Sequence, residues 1–200
     1  MKKSLSVKFV TSVTEPSDFP KPDLPEVAVV GRSNVGKSSL LNRLTGAKRM
    51  AFVSKTPGRT QLINFFRLGD ELMLVDLPGY GFAKVPVSVR QHWEKLVTGY
   101  LFEREAPRLA LLLVDLRREP LDIDIQVRDL LVQGDVAHAV VATKADKLSK
   151  SRVRQHRAKL ERIYGAEGKV PLITFSAVTN EGRNELWKVI EKHIQRAPKK

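Results

Sequence analysis

Short apolar runs alternate with amphipathic segments along most of the chain. Runs rich in Val, Leu and Ile, bounded by Gly, Pro or polar residues, predict strands. These predicted strands cover residues 27–30, 61–68, 72–75, 109–114, 137–142 and 170–175. Apolar residues that recur every three or four positions predict helices over 38–44, 87–105, 121–132, 150–164 and 181–196. This alternation is typical of an α/β fold, with a doubly wound, mostly parallel sheet covered on both faces.

One pair of strands departs from that pattern. Residues 61–68 and 72–75 are separated by Gly69 and Asp70, which indicates a hairpin. We therefore expect one antiparallel edge strand in the sheet. Four prolines within residues 14–25 predict an extended lead-in before the first parallel strand. The expected parts are an N-terminal extension that packs on the domain (1–25), a single domain (26–196) and a basic tail (197–200).

Composition adds a strong positive charge. The chain has 35 Lys and Arg against 22 Asp and Glu, a net charge of +13. A field of that sign favours polyanions such as nucleic acid, a ribonucleoprotein or an anionic membrane face. Residues 147–162 contain seven basic residues and one acidic residue, Glu161. We expect Arg152, Arg154 and Arg157 to contact RNA phosphates, and a solvated helix face is the alternative.

Several classes of protein are excluded or disfavoured. Without cysteine the chain has no disulfide scaffold, thiolate metal site or catalytic thiol. Its first 13 residues alternate between polar and apolar and lack the apolar core of a signal peptide. No apolar stretch is long enough to span a bilayer. We therefore expect a cytoplasmic monomer. Trp93 and Trp187 fall on predicted helices, which favours packing roles.

The first chemical motif directly follows the first strand of the domain. Residues 31–38, GRSNVGKS, match G-x-x-x-x-G-K-[ST] between a strand and a helix, the context of a P-loop. Its backbone N–H groups and the helix N-terminus can surround phosphate oxygens. We expect Lys37 to reach the β- and γ-phosphates and Ser38 to bind Mg²⁺. The predicted nucleotide contacts are Gly31, Arg32, Ser33, Asn34, Val35, Gly36, Lys37 and Ser38.

Two further segments suit the γ-phosphate and its metal. Residues 76–79, DLPG, follow a predicted strand, where a carboxylate can hold the Mg²⁺ shell through water and a glycine amide can sense a phosphate. A turn or helix cap is the alternative for Asp76. The loop predicted over 47–60 offers Thr60 as a switch ligand of Mg²⁺, preferred to Thr56 because it abuts a strand. The predicted contacts are Gly58, Arg59, Thr60, Gln61, Leu62, Asp76, Leu77, Pro78 and Gly79.

The base of the bound nucleotide is expected to contact residues at the ends of two strands later in the chain. In the TKAD sequence at 143–146, an aspartate can accept hydrogen bonds from guanine N1–H and the exocyclic amine. Adenine offers no such pair, so GTP and GDP are the expected ligands. The Lys144 stem would lie along the base, and N–H groups of 175–177 would meet guanine O6. These contacts are Thr143, Lys144, Ala145, Asp146, Phe175, Ser176 and Ala177. An ATP-using kinase and an RNA-binding module that holds nucleotide only structurally are the alternatives.

The motifs together resemble the EngB (YihA/YsxC) family of ribosome-biogenesis GTPases, within the TrmE-Era-EngA-EngB-like group. The matching strings are GRSNVGKSSL at 31–40, SKTPGRTQLINFF at 54–66, DLPGYG at 76–81, TKADK at 143–147 and FSA at 175–177. The resemblance spans nearly the whole chain and implies one G domain. It further implies a switch in assembly of the large ribosomal subunit, with rRNA and ribosomal proteins as partners. A role in cell division and septation is implied as well.

Three positions bear on catalysis and on the base loop. Thr143 stands where many GTPases carry asparagine, so we expect a weaker tie between the base loop and the P-loop; EngB-like sequences share this change. Tyr80 stands where Ras-like proteins place a water-orienting glutamine, so slow intrinsic hydrolysis is expected. Asn34 and Lys37 are then the catalytic candidates. Asn34 occupies the position used by potassium-activated relatives and can ligate K⁺; hydrogen bonding within its own loop is the alternative.

Overall fold

A seven-stranded sheet with helices on both faces forms the body of the protein. The computed structural model describes residues 6–46, 62–81, 86–104, 106–165 and 170–195. The strands are β1 (Val7–Val13), β2 (Glu26–Gly31), β3 (Ile63–Leu68), β4 (Leu72–Asp76), β5 (Pro107–Asp115), β6 (His138–Thr143) and β7 (Leu172–Thr174). The helices are α1 (Lys37–Thr45), α2 (Val87–Thr98), α3 (Asp122–Gln133), α4 (Lys150–Tyr164) and α5 (Arg183–Gln195).

The strand order is β1-β3-β4-β2-β5-β6-β7. Neighbours from β4 through β2, β5 and β6 to β7 are parallel, and β3 runs antiparallel to both β4 and β1. The predicted α/β class with a mostly parallel, doubly wound sheet is confirmed. The carboxyl ends of β2, β4, β6 and β7 therefore share one edge of the sheet, where ligands bind in folds of this kind.

Two apolar layers hold the helices against the sheet. Val27 and Val29 of β2 face α1 and α5, whereas Ala28 and Val30 face α2, α3 and α4. This follows from the period of two along a strand, and it explains why a strand buried on both faces is apolar throughout. The indole of Trp187 on α5 donates to the Leu44 carbonyl oxygen at the end of α1, 3.3 Å away. A hydrogen bond thus connects α1 and α5 in addition to their apolar packing.

The N-terminal segment adds a strand that the apolar pattern did not predict. Strand β1 pairs with β3 and forms one edge of the sheet. Only Val13 within it is buried, and the Phe9 ring packs edge-on against Phe66 of β3 at 5.7 Å. A strand that is mostly exposed has a weak apolar signature, because its stability comes from pairing rather than from burial.

Other boundaries differ from the predictions in small ways. The lead-in of 14–25 contains a short 3₁₀ turn at Pro16–Asp18. The helix predicted over 87–105 ends as an α-helix at Thr98 and continues as one π-helical turn over Gly99–Glu103. The last helix begins at Arg183, two residues later than predicted. No helix among the described residues has both the length and the apolarity needed to cross a membrane.

A buried ion pair fixes the start of β2. The Arg104 guanidinium donates to both carboxylate oxygens of Glu26, at 2.9 and 2.6 Å, and the Tyr100 hydroxyl donates to the same carboxylate at 2.9 Å. The guanidinium also lies over the rings of Phe19 and Phe65, 5.7 and 5.4 Å from their centres. Phe19 belongs to the N-terminal lead-in, so this cluster attaches that segment to the sheet.

Candidate functional site

The P-loop turns sharply between β2 and α1. A Cβ on Gly31 would lie 2.9 Å from the Leu113 carbonyl oxygen, so the loop backbone passes directly against β5. Gly36 precedes α1 with φ of 117°, a conformation that side chains disfavour. Because Gly36 has no side chain to cap the helix, the first N–H groups of α1 remain available to an anion. The local geometry therefore suits phosphate binding, as the motif predicts.

Lys37 and Gly79 meet at the centre of this loop. The Lys37 Nζ lies 3.3 Å from the Gly31 carbonyl oxygen, and a Cβ on Gly79 would approach Nζ to 2.8 Å. A side chain at this position would press on the amine and, at 3.1 Å, on the Ser33 backbone nitrogen. Burial lowers the pKa of Lys37, and the negative charge of Asp76 opposes that shift. The structure thus brings together the predicted phosphate lysine and the predicted γ-phosphate sensor.

Asp76 has the properties expected of a carboxylate that supports a metal ion. Its Oδ1 is buried and has no hydrogen-bond partner among the described residues. Burial raises the pKa of Asp76 to about 6, while the Lys37 charge and a hydrogen bond from Asn64 pull it lower. A buried carboxylate oxygen without a partner is costly unless a ligand supplies one. Ser38 is the second residue of α1, so the residues present fit Mg²⁺, which prefers oxygen ligands and retained waters.

The predicted base contacts lie at the ends of β6 and β7. The Ser176 hydroxyl, which is fully buried, donates to Asp146 Oδ1 at 2.8 Å. This hydrogen bond is the main cause of a lowered pKa at Asp146. The same hydroxyl oxygen accepts from the N–H groups of Val178 and Thr179, each at 3.1 Å. Ser176 therefore orients the carboxylate that the motif assigns to guanine.

Only one of three backbone donors remains open for the guanine oxygen. The N–H of Phe175 donates to the Ala142 carbonyl oxygen at 2.8 Å, and that of Ser176 donates to the Glu181 carbonyl oxygen at 3.2 Å. The N–H of Ala177 donates to no group within the part of the chain that the structure describes. Of the segment 175–177, the Ala177 N–H is thus the donor left for the predicted contact with guanine O6.

Lys144 connects the base loop to the P-loop. Its φ is 64°, and its Nζ donates to the Asn34 carbonyl oxygen at 2.7 Å and to Asp115 Oδ2 at 3.0 Å. Burial raises the pKa of Asp115, but hydrogen bonds from Arg117 and Lys144 prevail and lower it. Asp115 ends β5 directly opposite Thr143 of β6. Asp115 belongs to none of the predicted motifs, and its position after an apolar strand was the available signal.

Tyr80 is held by two helices. Its hydroxyl donates to Asp124 Oδ1 of α3 at 2.9 Å, and its ring packs edge-on against Trp93 of α2 at 5.9 Å. The Trp93 indole donates to the Pro78 carbonyl oxygen at 2.9 Å. Burial, reinforced by Asp124, raises the pKa of Tyr80 far above its usual value. A neutral phenol engaged in this way is not placed as a base for water.

Asn34 lies on the open side of the P-loop. It is exposed with φ of 60°, and it lines a cavity of about 420 Å³ together with Arg32, Asp115 and Lys144. Its carbonyl oxygen receives Lys144, while its side chain forms no hydrogen bond to any described residue. Hydrogen bonding of this side chain within the loop, the alternative considered from the sequence, is therefore absent from the described part of the chain.

The predicted basic face lies on α4. Arg152 and Arg154 are exposed, and neither forms an ion pair with a described residue. Arg157, in contrast, pairs with Glu161 at 2.9 Å, and Lys159 pairs with Glu119 at 2.6 Å. Fewer positive charges on this helix are therefore free to bind a partner than the number of basic residues in the sequence suggests.

Some of the predicted contacts lie outside the described residues, which resume at Leu62. These are Gly58, Arg59, Thr60 and Gln61, together with the competing Thr56.

The sheet topology, the P-loop and the strand-end motifs together define a P-loop GTPase with the G-domain fold. The family described as 50S ribosome-binding GTPase matches residues 26–144. The chain belongs to the EngB family of GTP-binding proteins. It is 50% identical over 186 residues to the probable GTP-binding protein EngB of Geobacter metallireducens, covering 93% of this chain and 91% of that protein. The corresponding protein of Pelotomaculum thermopropionicum is 47% identical over 189 residues, covering 94% and 96%.

Solved structures agree with this assignment at the level of the fold. A crystal structure of a probable GTP-binding protein engB superposes with a TM-score of 0.71 at 25% identity, covering 86% of this chain and all of that one. Era in complex with MgGDPNP and nucleotides 1506–1542 of 16S ribosomal RNA superposes with a TM-score of 0.68 at 22% identity. That match covers 88% of this chain and 59% of Era.

Proposed function

We propose that this GTPase is a magnesium-dependent switch that acts in assembly of the large ribosomal subunit, in the cytoplasm, with slow intrinsic hydrolysis. Normal cell division and septation would depend on that role. The observation that carries the magnesium-dependent switch is the buried Asp76 Oδ1, which has no partner among the described residues, beside Lys37 and Gly79 at the end of β4. A site built this way is complete only when a ligand occupies it. The match to the family described as 50S ribosome-binding GTPase supports the large subunit as the target of the switch.

The residues divide the work of binding and switching. The P-loop N–H groups and Lys37 hold the phosphates, and Asp146 selects guanine with Lys144 along the base. Ser38, Thr60 and, through water, Asp76 would hold Mg²⁺, which neutralises charge that develops on the phosphates. Gly79 lies against Lys37, so its N–H is close to where a γ-phosphate would reach. A contact there would distinguish GTP from GDP and reorder the segment that leads to Tyr80.

The same geometry supports slow hydrolysis. The Tyr80 hydroxyl is engaged by Asp124, so Tyr80 is not placed to orient a water molecule. Asn34 is the candidate for supplementing the site, because its free side-chain oxygen can ligate K⁺ beside the phosphates. A cation there would stabilise charge between the β- and γ-phosphates.

Two measurements test the proposal. Labelled GDP should be displaced by GTP and not by ATP, which separates this function from that of an ATP-using kinase. Purified large ribosomal subunits should co-sediment with the protein in a non-hydrolysable GTP analogue and much less in GDP. Equal association in the two nucleotide states would contradict a switch. Absence of GTP turnover, with or without subunits, would favour an RNA-binding module that holds nucleotide only structurally.

A further inference from the structure

Three polar side chains lie side by side across the edge of the sheet that carries the phosphate site. Ser12 of β1 is paired in register with Asn64 of β3, and Asn64 is paired with Asp76 of β4. The Ser12 hydroxyl donates to Asn64 Oδ1 at 2.6 Å, and Asn64 lies directly opposite Asp76, where its side chain helps to lower the pKa of that carboxyl. Residues opposite one another on neighbouring strands have side chains on the same face, so this row is a direct result of register.

The ionised Asp76 carboxylate determines which groups of the row donate hydrogen bonds and which accept them. An ionised carboxylate only accepts hydrogen bonds, so the Asn64 amide must direct its NH₂ group toward Asp76. Its Oδ1 then points away from Asp76, toward β1, where the Ser12 hydroxyl donates to it. Each group thus fixes the orientation of the next one, and the order of donors and acceptors runs from the exposed strand inward.

We propose that Asn64 is a positioning residue for Asp76, and that Ser12 orients Asn64 from the N-terminal strand. Asn64 lies opposite Asp76 in the sheet and the charge of Lys37 acts on it from α1, while Asp76 Oδ1 has no hydrogen-bond partner among the described residues. A row that fixes Asn64 would hold the carboxylate in one orientation beside the ligand site. Partners behind a metal-supporting carboxylate commonly change metal affinity by about 10- to 100-fold. This inference rests on the proposed magnesium site.

The test is the Mg²⁺ dependence of release of a fluorescent GDP analogue, measured from millimolar Mg²⁺ down to excess EDTA. Asn64→Leu should raise the Mg²⁺ concentration at half-maximal retention by about 10-fold. Ser12→Ala should raise it by a smaller factor, about 3-fold, because it acts through the amide. Ser12→Thr keeps a hydroxyl and suits a strand, so it should behave as the wild type. Thr11→Ala, one residue away on the opposite face, is the matched control.

The EDTA arm separates positioning from a general structural defect. Without metal, Asn64→Leu and wild type should release GDP at the same rate. Faster release in both conditions, or a half-maximal concentration within 2-fold of wild type, would overturn the inference. If Ser12→Thr retains the GDP analogue no better than Ser12→Ala, the role of Ser12 is refuted. The role of Asn64 is then decided by the result for Asn64→Leu alone. A wild-type protein that releases GDP without regard to Mg²⁺ would refute the magnesium site itself.

Discussion

The Thr143 hydroxyl lies 2.7 Å from the Val35 carbonyl oxygen of the P-loop and 3.0 Å from the Val114 carbonyl oxygen of β5. A hydroxyl has one proton, so it can donate to only one of the two acceptors at a time. An asparagine amide carries two N–H groups and could serve both. Thr143 therefore serves either the P-loop or β5 at a given moment, where an asparagine could serve both.

Substitution of Thr143 should change nucleotide affinity in a graded way. Thr143→Ala removes a buried hydrogen bond, which typically contributes about 1 kcal/mol, so GDP affinity should fall by about 5-fold. Thr143→Ser keeps the hydroxyl and should remain near wild type. Thr143→Asn should bind at least as tightly as wild type. Calorimetric titration with GDP measures all three, and wild-type affinity in Thr143→Ala would refute the link.

The raised pKa of Asp76 predicts an unusual dependence of the free energy of unfolding on pH. Its pKa is raised to about 6, above the usual 3.8, so the folded state holds a proton that the unfolded state lacks between these values. Stability of the metal-free protein should therefore decrease as pH rises through this window. Asp76→Asn removes that loss, and should stabilise the EDTA-treated, nucleotide-free protein at pH 7.5 by about 1–3 kcal/mol.

The gain should shrink as pH falls from about 6 toward 4 and vanish below the unfolded pKa of 3.8, where the wild-type carboxyl is protonated in both states. Urea unfolding at several pH values measures it, with the exposed Asp135→Asn as the control. The same Asp76→Asn substitution should weaken Mg²⁺-dependent GTP binding. A constant difference in stability across this pH range would show that burial does not raise the pKa of Asp76.

These residues also show what sequence can and cannot predict. Lys37, Asp76 and Asp146 were predictable because each belongs to a short contiguous motif at the end of a recognisable strand. Asn64 was not, because its role depends on which strands are neighbours and in which register. Asp115 could have been noticed at the end of an apolar strand, but its place opposite Thr143 depends on the register of β5 and β6. Strand β1 escaped prediction for the same reason, since its partner lies about 50 residues away along the chain.

Asn34 should determine the response of GTP turnover to potassium. At equal ionic strength, turnover should be faster in KCl than in NaCl, because a cation ligated by the Asn34 oxygen would offset charge on the leaving group. Asn34→Gly is the cleanest variant, since φ of 60° suits glycine and strains alanine. It should lose the K⁺ stimulation, while Asn34→Asp keeps an oxygen ligand.

Equal rates in the two salts for wild type would dispose of this role. Stimulation that persists in both Asn34→Gly and Asn34→Ala would locate the cation elsewhere.

The exposed face of α4 should contribute salt-sensitive binding to ribosomal RNA. Reversal of Arg152 and Arg154 to Glu should weaken binding to large subunits and flatten its dependence on salt, because fewer counterions are released. Lys188 and Lys192 are exposed on α5, across the sheet, so their double reversal is a control with the same change in charge.

Binding to subunits should be measured between about 50 and 200 mM salt, the range over which phosphate contacts lose affinity steeply. GDP binding should survive in both double variants. Equal losses from the α4 and α5 reversals would indicate a general effect of net charge rather than a contact on α4.

Asp146 allows the most direct test of a guanine-dependent switch on the large ribosomal subunit. Asp146→Asn replaces an acceptor by a donor toward the base, so the variant should prefer xanthine to guanine nucleotides. Ser176, which donates to Asp146 Oδ1, can donate equally to the amide oxygen of the variant, which leaves the amide NH₂ group to face the base. Co-sedimentation with purified large subunits should then be measured for wild type and variant with non-hydrolysable GTP and XTP analogues. We expect wild type to associate only with the GTP analogue and Asp146→Asn only with the XTP analogue; association of both proteins irrespective of the nucleotide would contradict the account.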